Sequence, residues 1–237
     1  MEDPREEDRS AHSTPPEGQG APRRSQTENS ADPPPAIALF GGVFDPIHSG
    51  HVEIARLALD RLPITDVVFL PAGNPPHKSD RTAAPPQHRR AMLERAIAGE
   101  PHFQLDPREL DRPGPSYTVL TLLELAEERP GTTVYFLIGA DNARTIGAWH
   151  RAEEIFHLSE PVVIARPGES VAFTAEDLPF LDEAARARVN ARMIEGIALE
   201  QSSSAVRERV AAGLPLDNWV PTTVAEYIAE HGLYSEV

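Results

Sequence analysis

The chain has 237 residues, 40% of them apolar and 25% charged, which is enough for one sizeable core and leaves two small domains as the alternative. It has no cysteine, so disulfides, thiolate metal sites and a cysteine nucleophile are excluded. A net charge of −15 argues against nonspecific nucleic-acid binding and obliges any site for anionic substrates to gather positive charge locally. No apolar run is of membrane-spanning length and no signal-type apolar region opens the chain, so the default expectation is a soluble, cytoplasmic protein.

Residues 1–36 contain seven prolines, no aromatic residue, and no isoleucine, leucine, valine or phenylalanine. Such a segment cannot bury enough surface to offset its ordering entropy, and it reads as a disordered acidic tail ahead of one domain over 37–237. That domain begins with a buried-strand run, 37–40, followed by Gly41-Gly42-Val43-Phe44-Asp45-Pro46-Ile47-His48-Ser49-Gly50-His51. Apolar residues then recur at 52, 55, 58, 59 and 62, a helical spacing. Strand, glycine-rich turn and helix N-terminus make an anion cradle, with His48 and His51 on one side of the first helical turn. A Walker loop would need Lys-Ser/Thr after its second glycine, and a zinc site a third ligand; neither is present. The plain alternative is a strand–helix turn with incidental histidines.

The next buried run, 66–71, ends in a proline-stiffened loop holding Asn74, His77 and Lys78, the last being the one lysine in the chain. A helix is expected over 86–99, a short strand at 103–105 and a helix over 119–129, with Ser116 or Thr118 as its N-cap. The strand 133–138 ends at Gly139, where a nucleotide could lie against the backbone, and at Asp141, a candidate ribose acceptor. Trp149, with His150 beside it, reads equally well as a stacking residue or a core residue. The strand from 161 ends at Arg166, a candidate phosphate partner. The stretch 174–192 reads as charged helix and 194–199 as a strand. Ser202, Ser203, Ser204 and Arg207 then gather hydroxyls and a guanidinium at a helix N-terminus suited to polyphosphate. The alternation predicts an α/β fold, an open, doubly wound Rossmann-like parallel sheet of about five or six strands without GxGxxG. Helices should cover both faces, with a C-terminal helical cap near the phosphate site.

The signature at 41–51 resembles the GGxFDPxHxGH of nucleotidyltransferases that move AMP from ATP to a phosphate acceptor, and 37–234 is similar to the bacterial nicotinate-nucleotide adenylyltransferases. Matching elements follow in that family's order: PPHK at 75–78, RxxM at 89–92, Ser-Tyr-Thr at 116–118, IGAD at 138–141, Arg166-Pro167, and QSSSAVR at 201–207 against ISSTxIR. Leu120 and Gln201 depart from the pattern. The resemblance implies His48, His51 and Arg207 as the catalytic set on the ATP phosphates. It implies ATP contacts for Gly41, Gly42, Phe44, Gly50, Lys78, Gly139, Asp141, Ser203 and Ser204. It assigns the acceptor, nicotinate mononucleotide, to Asn74, His77, Tyr117, Thr118, Trp149, His150 and Arg166. Mg²⁺ is expected to arrive with ATP and to need no protein metal site, and no nucleic acid or membrane is expected as a partner. Rival readings are a dual-specificity enzyme that also takes the nicotinamide form, phosphopantetheine adenylyltransferase, and a nucleotide-binding module without turnover. Preference for the acid is expected from N–H donors at 117–118 and around 149–150, since no Asp or Glu lies within either element.

Overall fold

The protein is described by a computed structural model covering residues 34–75, 84–169, 171–196 and 201–235. Its centre is a six-stranded, all-parallel sheet in the order β3-β2-β1-β4-β5-β6. The strands are β1 (Ala36–Gly42), β2 (Asp66–Pro71), β3 (Phe103–Leu105), β4 (Thr133–Gly139), β5 (Glu160–Ala165) and β6 (Met193–Glu195). This is the doubly wound arrangement expected from the alternation, with the order reversing between β1 and β4.

The apolar runs work because each strand is covered on both faces. Ala38, Phe40, Val67, Phe69, Leu137, Val162 and Ile164 face one core, and Ile37, Leu39, Val68, Leu70, Val134, Phe136, Ile138 and Val163 face the other. The first core is closed by α1 (Ser49–Arg61), α2 (Pro86–Ile97), α8 (Ser203–Ala211) and α9 (Thr222–Glu230). The second is closed by α4 (Thr118–Glu128), α6 (Ala152–Leu158) and α7 (Glu183–Ala191). Two single-turn helices, α3 (Arg108–Asp111) and α5 (Ala140–Ala143), sit at strand ends.

Two elements differ from the sequence reading. The stretch 174–192 is helical only from Glu183. Thr174 donates through its N–H and its hydroxyl to Asp177 Oδ2, both at 2.7 Å, closing a turn in place of a helix. Asn190 and Phe173 exchange side-chain–backbone bonds at 2.8 and 3.1 Å, and Asp182 caps α7 by accepting from Ala185 N at 2.7 Å. The strand expected over 194–199 is Met193–Glu195, and 197–199 lie outside the described residues.

Candidate active site

Both candidate regions lie where the strands end. The β1–α1 turn runs from Val43 to His48. A Cβ on Gly42 would stand 3.0 Å from the Phe44 ring, so glycine lets that ring fold back tightly against the strand end. Phe44 is 2% exposed and packs on Phe40, Phe69 and His51. Its side chain is therefore part of the core, so any contact of Phe44 with ATP would be through its backbone. The His48 and His51 rings are stacked at 3.6 Å, and His48 N donates to His51 Nδ1 at 3.2 Å. His48 is 7% exposed, its Nδ1 is buried without a hydrogen-bond partner, and burial pushes its imidazole down to about 4. It is neutral at physiological pH.

The helix N-terminus is less open to an anion than the sequence implies. Ser49 N donates to the Trp219 carbonyl at 2.9 Å, and His51 N to the His48 carbonyl at 2.9 Å. The C-terminal cap is laced to this turn by side chains as well. Ser203 Oγ donates to Pro46 O at 2.9 Å, Arg207 donates to Asp45 O and to Ser204 Oγ, and Tyr234 donates to Asp45 Oδ1 at 2.7 Å. The expected polyphosphate set, His48, His51, Ser203, Ser204 and Arg207, is thus gathered around one turn.

The second region is a cavity of about 130 Å³ at the carboxyl ends of β1, β2 and β4. It is lined by Gly41, Gly42 and Gly139, which the resemblance assigns to ATP, together with Tyr117, Thr118, Trp149 and His150, which it assigns to the acceptor. Tyr117 and His150 face each other at 4.4 Å, and Trp149 meets Phe136 edge-on at 6.2 Å. A Cβ on Gly139 would meet nothing within 4 Å, so the strand end is open to a ligand. The floor is held by Arg89, 2% exposed, which donates to Val43 O, Ala72 O and Ala84 O at 2.8, 2.7 and 3.1 Å. That one side chain ties the loops after β1 and β2 together.

The cytidylyltransferase-like family model matches residues 39–209. Two relatives that bear the name probable nicotinate-nucleotide adenylyltransferase, from Symbiobacterium thermophilum and Thermomicrobium roseum, are each 40% identical over 84% and 85% of this chain and 94% and 92% of their own. The chain belongs to the nicotinate-nucleotide adenylyltransferases. In fold it resembles Plasmodium falciparum nicotinic acid mononucleotide adenylyltransferase complexed with NaAD, with a TM-score of 0.63 and 20% identity over 85% of this chain and 98% of that one.

As a nucleotidyltransferase of this family, the chain places several expected residues elsewhere. Asp141 has a side chain 86% exposed and pairs with Arg144 at 3.1 Å, while its neighbour Asn142 lines the cavity. Arg166 is exposed, does not line the cavity, and donates through its backbone to Glu169 at 3.3 Å. Asn74 is exposed at the cavity rim, with its N–H on Ser116 Oγ at 3.1 Å, and Gly50 is buried in α1. His77 and Lys78 lie outside the described residues. Neither Ser116 nor Thr118 caps α4. The N-cap is Tyr117, and Ser116 Oγ is taken by Gly73 N and Asn74 N at 3.0 and 3.1 Å. Tyr117 N donates to Pro115 O at 3.1 Å, Leu120 N to Tyr117 O at 3.0 Å and Trp149 N to Ile146 O at 3.1 Å.

Two buried carboxylates at the two regions escaped the sequence reading. Glu109 of α3 lines the cavity and is 4% exposed. Thr121 donates to it at 2.7 Å, and burial pushes its carboxyl up against the hydroxyl bonds that hold it down. The 117–118 and 149–150 elements hold no Asp or Glu, as read from the sequence, but Glu109 brings a carboxylate to the same cavity from α3. Asp45 is 7% exposed and takes donors from 84 and 234. Its place inside the signature was the available signal. Glu109 had only its position seven residues before Ser116.

Proposed function

We propose that this chain joins ATP and nicotinate mononucleotide at the two regions described: the histidine turn takes the polyphosphate, and the cavity takes the nicotinate end. The reaction transfers AMP from ATP to nicotinate mononucleotide, giving deamido-NAD and pyrophosphate, a step of NAD biosynthesis. The acceptor's phosphate oxygen attacks the α-phosphorus in line, the bond to the β-phosphate oxygen breaks, and pyrophosphate leaves with the electron pair. No protein nucleophile is needed, so acceleration comes from alignment and charge stabilisation.

The observation that carries the assignment is the buried His48, stacked on His51 with an unpartnered Nδ1 in the turn that Arg207 and Ser203 reach. A buried polar atom without a partner is costly unless a ligand completes it. A neutral imidazole offers one N–H, so His48 would serve as a donor and Arg207 as the fixed positive charge. Tyr117, Trp149 and His150 would frame the pyridine, with Gly41 and Gly139 admitting the nucleotide backbone. Among the described residues no group of three His, Asp or Glu is arranged for a metal ion. The phosphate oxygens of ATP would hold Mg²⁺, which neutralises charge on the leaving pyrophosphate when bound.

The nucleotidyltransferase domain is taken as 37–237, and no helix among the described residues is long and apolar enough to cross a membrane. A pyrophosphate-release assay with ATP and, in turn, nicotinate mononucleotide, nicotinamide mononucleotide and phosphopantetheine tests the reading. Release with nicotinate mononucleotide and formation of the dinucleotide are expected. Release with phosphopantetheine alone would contradict it.

A further inference from the structure

Beyond α9 the chain returns to the histidine turn through Tyr234, which no assignment of the site has used. Its hydroxyl donates to Asp45 Oδ1 at 2.7 Å, and Ala84 N donates to the same oxygen at 3.1 Å. The other oxygen, Oδ2, stands 3.6 Å from Arg207 Nη1, beyond hydrogen-bond length. Arg207 donates instead to the main-chain oxygen of Asp45 and, through Nη2, to Ser204 Oγ at 3.2 Å. Carboxylate and guanidinium are therefore neighbours that do not form a two-point ion pair, although that is the arrangement such groups favour.

We propose that Tyr234 is a positioning residue for Arg207: by holding Oδ1 of Asp45 it keeps the carboxylate from capturing the guanidinium, which stays turned to the polyphosphate. Asp45 is 10% exposed at the side chain, so water cannot readily replace a lost donor. Without the Tyr234 hydroxyl, Oδ1 keeps only Ala84 N of its two side-chain and main-chain donors, and the Arg207 guanidinium stands 3.6 Å from Oδ2. The carboxylate would swing to it, and the captured arginine would present less charge to ATP. Burial, reinforced by the Asp45 charge, pushes the Tyr234 hydroxyl up, so it remains a donor throughout the neutral range. This inference rests on the reading that Arg207 meets the polyphosphate.

The test is a double-mutant cycle on the full chain, with KM for ATP and for nicotinate mononucleotide measured in Tyr234→Phe, Arg207→Lys and the double variant. Phenylalanine keeps the ring packed and removes only the donor. Tyr234→Phe is expected to raise KM for ATP by on the order of tenfold, the usual weight of a hydrogen bond to a charged group. KM for the mononucleotide should stay within about twofold, and in the Arg207→Lys background the added factor for ATP should shrink to about twofold or less, the size of ordinary non-additivity error. An unchanged KM for ATP in Tyr234→Phe overturns the proposal. So does an equal factor in both backgrounds, or a parallel rise in both KM values, which marks a merely structural role. Arg207→Lys alone leaving KM for ATP unchanged removes the reading of Arg207, and the proposal with it.

Discussion

The cavity proposed for the acceptor and the histidine turn lie at the same edge of one sheet but are built from different materials. The cavity is walled by rings and by strand-end glycines, with its one buried carboxylate at the side. The turn is a mesh of buried polar groups drawn from the β1–α1 loop, α8 and the segment after α9. Shape makes the first region and long-range hydrogen bonds make the second. The two should therefore fail differently: cavity changes should act on one substrate, turn changes on charge stabilisation and on pH.

The largest expected effect is at the turn. His51→Ala should lower turnover by about a hundredfold or more, the loss typical of a removed transition-state donor. Single-turnover pyrophosphate release checks it, and near-normal turnover would mean that the stacked histidines are scaffold. The matching change at the cavity is Gly73→Ala. A Cβ there would stand 2.0 Å from the Glu109 carbonyl, so the loop after β2 must move. Overpacking of this kind costs about 1–3 kcal/mol. Thermal unfolding should register that loss, and KM for nicotinate mononucleotide should rise while KM for ATP holds.

The strands were legible in the sequence because both of their faces are buried, which turns Val67 to Leu70 or Val134 to Ile138 into continuous apolar runs. Trp149, Tyr117 and His150 were legible as a pocket only through the resemblance, since spacing alone left tryptophan equally at home in the core. The turn's mesh was not legible. Asp45 looks like an ordinary residue before proline, and its partners lie 39 and 189 positions away. Glu109 was hidden in a single helical turn whose burial comes from the loop passing over it. Residues 174–182 misled because charged sequence with alanines suits a helix, while the local bonds of Thr174 to Asp177 and the pinning of Phe173 by Asn190 prevail.

Acid stability separates the regions further. His48 is lowered to about 4 from 6.5, so the unfolded chain binds more protons over that interval. Its contribution is complete above about pH 6.5 and is lost as pH falls toward 4, by roughly 1–2 kcal/mol between pH 7 and 5. Glu109 has the opposite sign. Its raised pKa favours the fold at low pH, and that contribution is lost as pH rises from the ordinary carboxylate range. Denaturant unfolding at several pH values should therefore show a shallower acid loss in His48→Gln and a steeper one in Glu109→Gln. Indistinguishable slopes would contradict a buried neutral His48.

A smaller effect concerns the acceptor. The first N–H groups of α4 favour a carboxylate, so nicotinate mononucleotide should exceed nicotinamide mononucleotide by at least about tenfold in kcat/KM, some 1.4 kcal/mol. Equal efficiency would point to Glu109 receiving the amide and to a dual-specificity enzyme.

The division of labour itself is tested most directly by equilibrium binding. Titration calorimetry would measure nicotinate mononucleotide and an ATP analogue with a non-cleavable α–β bridge, each against Trp149→Ala and Arg207→Lys. A crossed pattern is expected, with Trp149→Ala weakening the mononucleotide and Arg207→Lys the ATP analogue, each by on the order of tenfold and each leaving the other ligand within about twofold. If both variants weaken the same ligand, the cavity and the turn are not separate substrate sites.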